Sequence, residues 1–100
     1  MCSRNKWRSL TAETIFKNIP SLEVKSAGTE NSARIKINST HINWADIIFV
    51  MEKKHSERLW EKFPNEMIDK KIVILEIQDI YNYMDPELIE ELKISLIEYL

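Results

Sequence analysis

Two residue types in the first nine positions bear on chemistry. Cys2, the only cysteine among 100 residues, stands six positions before Arg8, and Ser9 follows directly. A thiolate and a guanidinium at this spacing suit a phosphate monoester. If the residues between them curl into a loop, their backbone N–H groups converge into an anion nest. A helix starting near Ser9 adds its positive end to the same point. Arg8 can then grip two phosphate oxygens at once, which a lysine cannot do. The same field lowers the pKa of Cys2 and holds it as thiolate. Trp7 sits inside the loop beside Lys6 and is expected to line the mouth of a pocket. Arg4, Lys6 and Arg8 read as a local positive patch that captures an anion.

The elements that must position this stretch follow from pattern. Ala12, Ile15, Phe16 and Ile19 recur at helical spacing, so a first helix is expected from about Ser9 to Asn18, closed by Pro20. Leu22, Val24 and Ser26 alternate with Glu23 and Lys25, which predicts a short strand ending at Gly28, the only glycine. A short helix is expected over 39–46, capped by Asn38 or Ser39. The run from Ile47 to Met51 is continuously apolar, as in a strand buried on both faces of a parallel sheet. A helix over 53–63 follows, with Leu59, Trp60 and Phe63 as its core face and Pro64 as its end. Ile72 to Ile77 predicts another buried strand. Asp85-Pro86 opens the last helix, with Asp at the N-cap, Pro in the first turn and Glu87 near the positive end. Leu88, Leu92, Leu96 and Tyr99 lie along one face of it. The alternation argues for an α/β fold: a small parallel sheet with flanking helices, in three layers. Ligands of such sheets sit beyond the carboxyl ends of the strands, where the 78–84 loop also lies.

Composition sets the frame. The apolar content of 44% and charged content of 30% are ordinary for a soluble globular domain, and 100 residues fit a single one, 1–100. The net charge of −2 gives no reason to expect nucleic acid or a membrane surface as partner. One cysteine makes no internal disulfide, which points to a reducing, cytoplasmic setting. The longest apolar run is far short of the about 20 residues that span a bilayer, and no signal-peptide pattern follows Met1. His55, beside Lys53 and Lys54, reads as a solvated surface histidine, and His41 likewise. Two histidines so far apart offer no metal cluster.

With those residues in place, the chain resembles the low-molecular-weight protein tyrosine phosphatases, in particular a compact bacterial branch. The matching pieces are CSRNKWRSLTAE at 2–13, VKSAG at 24–28, WADIIFVMEKKH at 44–55 and IQDIYNYMDPELIEEL at 77–92. They follow the family's order and cover nearly the whole chain. The resemblance implies a phosphatase that hydrolyses phosphotyrosine or similar aryl phosphates through a phosphocysteine intermediate. Cys2 would be the nucleophile, Arg8 would bind the phosphoryl group, and Asp79 would be the general acid. Asn5 would hold the loop's shape, and the Ser9 hydroxyl would support the thiolate. Ser3, Arg4, Lys6 and Trp7 complete the substrate loop, and Tyr81 would wall the pocket. Asp85 competes with Asp79 for the acid role, but its work as an N-cap favours Asp79. No cofactor or metal is required. The expected partners are a phosphorylated protein or a small aryl phosphate, with phosphate or sulfate able to sit in the loop and the chain a monomer or weak dimer.

The sequence departs from the family at several points. Leu10 stands where a proline is common, Arg4 where many members have glycine, and Ile80 where a proline follows the acid. No second cysteine is present for a protective disulfide or for the relay of arsenate reductases of this fold. The family's first strand, an apolar run just before the cysteine, has no counterpart, because only Met1 precedes Cys2. That feature supports two other readings: a module that binds phosphate without turning it over, and an interaction protein that dimerises through an exposed sheet edge.

Overall fold

A computed structural model describes every residue except Ser3, Lys6 and Leu100. The elements are α1 (Arg8–Phe16), α2 (Ser39–Trp44), β1 (Ile47–Val50), α3 (Lys53–Lys62), α4 (Pro64–Met67), β2 (Lys71–Ile74) and α5 (Pro86–Leu96), with a final 3₁₀ turn at Ile97–Tyr99. β1 and β2 are parallel neighbours, with Ile48 opposite Ile72 and Val50 opposite Ile74. The ladder carries past the strand ends, where Leu75 N–H donates to Val50 and Ile77 N–H to Met51, both at 2.9 Å. Glu76 between them has φ 57°, a kink that shortens the expected 72–77 strand to four regular residues.

Local signals explain the helices. Asn38 and His41 form a reciprocal cap at the start of α2, each side chain taking the other's backbone N–H. Asp85 Oδ1 accepts from Glu87 N–H at 2.9 Å, and Pro86 fills the first helical position. Leu88, Leu92 and Leu96 of α5 are buried with Phe16, Met51 and Ile77, and Cys2 belongs to the same cluster. Burying each leucine contributes about 1.5–3 kcal/mol. A second cluster on the other side of β1 joins Ala27, Ile37, Ile42, Ile48, Val50, Leu59 and Met67.

Four expectations are corrected. Residues 22–27 are extended but join no strand ladder; only Gly28 makes bridges, to Cys2 and to Lys36. Alternation alone does not make a strand when no described backbone runs alongside. Pro64 opens α4 as well as closing α3, because its fixed φ suits a first helical position. Trp60 is 43% exposed and not part of a core face, which Leu59 and half-buried Phe63 supply instead. His55 is fully buried, since it lies one turn before Leu59 on the inner face of α3.

Candidate active site

The N-terminal loop folds back on itself. Cys2 is buried at 4% exposure, and its Sγ lies 3.0 Å from Ser9 Oγ. Asn5 Nδ2 donates to the same hydroxyl at 3.1 Å. Asn5 has φ 56°, a left-handed conformation that asparagine tolerates better than most residues. Burial pushes the Cys2 thiol upward, but the opposing effects win. The Ser9 hydroxyl, the Met1 ammonium and the amides of Ser9 and Asn5 together bring its pKa below the ordinary value. Replacing Ser9 with alanine removes the leading stabiliser of the thiolate. The acid limb of kcat/KM in S9A should therefore move to higher pH, so the loss of rate is greater below the limb than above it. An unshifted profile would separate Ser9 from the thiolate.

Arg8 begins α1 and is almost fully buried. Its Nη1 donates to the Ile77 carbonyl at 2.7 Å and to Glu52 Oε1. Nε lies 3.7 Å from Asp79 Oδ1, and Nη2 has no partner among the described residues. One side of the guanidinium is thus braced by protein and the Nε–Nη2 side is left for a ligand. The Arg8 hydrogen bond, against the opposing effect of burial, holds the Glu52 carboxyl below its usual range. Glu52 N–H in turn donates to His55 Nδ1 at 3.1 Å. Burial, followed by the charge of Arg8, pushes the His55 pKa down to about 4, so this imidazole is neutral at physiological pH.

Asp79 is 60% exposed at its side chain, beside Arg8. Its loop is pinned to α1 by two bonds: Met84 N–H donates to Thr11 Oγ1 at 3.0 Å, and Tyr83 Oη meets Thr14 Oγ1 at 2.9 Å. Asp85 is occupied as the cap of α5. Tyr81 packs against the cluster that contains Cys2, and its hydroxyl donates to Glu91 at 2.8 Å. That hydrogen bond, with burial and the Glu91 charge, raises the Tyr81 pKa. Trp7 is 46% exposed at the start of α1.

The expected positive patch is not assembled as such. Arg8 is buried against Glu52, exposed Arg4 pairs with Glu30 at 3.4 Å, and Lys6 lies outside the described residues together with Ser3. Sequence reasoning missed Glu52 and the inward His55. Glu52 follows the carboxyl end of β1 by two residues, where ligand sites of parallel sheets form, and that position was its signal.

No family model and no curated protein sequence matches the chain. A structure comparison finds the YwlE arginine phosphatase from Geobacillus stearothermophilus, with TM-score 0.72 and 22% identity over 98% of this chain and 88% of that one. The fold is that of the low-molecular-weight tyrosine phosphatases. Within this phosphatase fold, Cys2, Asn5, Arg8 and Ser9 form one buried group at the carboxyl end of β1, with Asp79 on its rim.

Proposed function

We propose that this chain is a cysteine-dependent phosphatase acting on phosphate monoesters, with aryl phosphates such as phosphotyrosine as the preferred class. The observation that carries the reading is the pairing of a thiol biased toward thiolate with a buried arginine whose Nε–Nη2 side is open. Cys2 Sγ attacks phosphorus and forms an S–P bond as the P–O bond to the leaving group breaks. Arg8 takes up charge on the equatorial oxygens, and the amides of Asn5 and Ser9 keep the region electropositive. Asp79 gives its proton to the departing phenolate. It then takes a proton from the water that attacks the phosphocysteine, which releases inorganic phosphate and the thiolate. Trp7, half exposed at the loop, supplies an apolar surface for a substrate ring.

A second substrate class is favoured by the structural neighbour, whose name is arginine phosphatase. Phosphoarginine carries its phosphoryl group on nitrogen, and the same nucleophile and arginine would serve. The test is release of phosphate from p-nitrophenyl phosphate, a phosphotyrosine peptide and a phosphoarginine peptide in parallel. Turnover of the first two, inhibited by vanadate, is the expected result. Turnover of phosphoarginine alone would keep the cysteine mechanism and replace the substrate class. No turnover of any of the three by folded protein would end the enzymatic reading.

A further inference from the structure

Beside β1 the sheet continues for a single residue. The Met1 amino group donates to the Phe49 carbonyl, and Met51 N–H donates to the Met1 carbonyl at 2.9 Å. Cys2 then bridges Gly28 in parallel. Met1 and Cys2 therefore lie in the lane between β1 and the extended 22–28 segment. Along the rest of that lane, two edges face each other unpaired. Strand alternation turns Phe49 N–H and the Ile47 carbonyl to the same side as the Phe49 carbonyl. Neither has a partner among the described residues, and the same holds for the backbone groups of Glu23, Val24 and Lys25.

Between the edges lies a cavity of about 580 Å³. Phe16, Phe49 and Leu96 line one side, and Ala27, Ile42 and Ile48 line the other. These residues belong to the two core clusters, which the lane separates. A ligand in the lane is thus enclosed by apolar side chains above and below and by hydrogen-bonding backbone left and right. Only an extended polypeptide satisfies all four, and it must be apolar at every position rather than at alternate ones. The span from Ala45 to Phe49 sets its length at about five residues, or roughly 16 Å. Lys25 and Trp44 meet across the mouth, with Nζ 4.4 Å from the ring centroid, and can close over it.

The inner end of the lane selects a chain terminus. There the Met1 ammonium is buried against a neutral carbonyl, and burial lowers its pKa to about 6. A carboxylate at that point would restore the charge balance. This chain's own tail does not supply it, because Leu96 and Tyr99 already line the cavity wall.

We propose that the lane binds the carboxyl-terminal five or so residues of a second polypeptide, apolar throughout, as a strand parallel to β1 whose terminal carboxylate meets the Met1 ammonium. The probe is the peptide acetyl-Lys-Lys-Val-Ile-Val-Leu-Val as the free acid. Controls are its carboxyl-terminal amide and a version with threonine in place of each valine. The readouts are binding by calorimetry and hydrogen exchange of the amides of residues 23–25 and Phe49. Saturating free acid should slow exchange at those amides by at least tenfold, raise Tm, and bind at least tenfold more tightly than either control. Unchanged exchange with the free acid would overturn the proposal. So would equal affinity for the threonine peptide, or for the amide. Protection of the same amides without peptide, in a protein that sediments as a dimer, would assign the lane to a second copy and also overturn it. None of these outcomes depends on phosphatase activity.

Discussion

Cys2→Ser should abolish turnover, by on the order of 10⁴-fold or more, while leaving phosphate binding in place. The sulfur is the only group in the site that can form a covalent phosphoryl intermediate at neutral pH. The Ser9 hydroxyl and two backbone amides bias it toward the anion. A serine hydroxyl at the same point stays protonated, and nothing nearby serves it as a base: His55 is buried and bonded to Glu52 N–H. The anion-binding parts are separate from the nucleophile, since Arg8 is braced by Ile77 and Glu52. The check is a p-nitrophenyl phosphate assay run beside a phosphate-dependent shift in Tm. Loss of the rate with the shift retained is the expected pattern. Loss of both in a protein with unchanged circular dichroism would make Cys2 a structural residue.

Arg8→Lys should cost about 10³-fold in kcat/KM despite keeping the charge. The guanidinium does two tasks at once. Nη1 holds the Ile77 carbonyl and Glu52, which fixes the side chain between the start of α1 and the loop that carries Asp79. The opposite side remains to take two equatorial oxygens in parallel. An ammonium is a single point of charge and cannot span both sets. It leaves either the Ile77 carbonyl or the phosphoryl group without its donor, and an unsatisfied buried carbonyl costs about 1–3 kcal/mol. Vanadate affinity should fall together with kcat/KM, because both report the charge distribution that Arg8 meets. A loss below tenfold in both would remove Arg8 from the phosphoryl site.

What could be read in the sequence was local. Asp85-Pro86 gives the start of α5, and the leucine spacing gives its buried face, because capping and helical period act within a few residues. Cys2, Asn5, Arg8 and Ser9 lie within eight residues, so their grouping needed only a loop and a helix start. The Glu52 contact to Arg8 spans 44 positions and depends on where β1 ends. The 22–28 segment carried a genuine alternating pattern but pairs only at Gly28, because a strand is completed by its neighbour. His55 was misread from the two lysines before it. Its spacing of four from Leu59 was the better guide, since residues one turn apart share a face.

The buried neutral imidazole of α3 has a consequence for how this protein meets acid. In the unfolded chain His55 takes up a proton near its model value of 6.5, while the folded chain refuses it until about 4. Stability that is complete above the upper value is therefore drained as pH falls across that interval. The first turn of α3 carries both His55 and the backbone of Glu52, so protonation strikes the anchor of Arg8 directly. Acidification would slacken the guanidinium's mooring while the sulfur's own hydroxyl and amide contacts still hold, and the catalyst would be switched off from its rear wall.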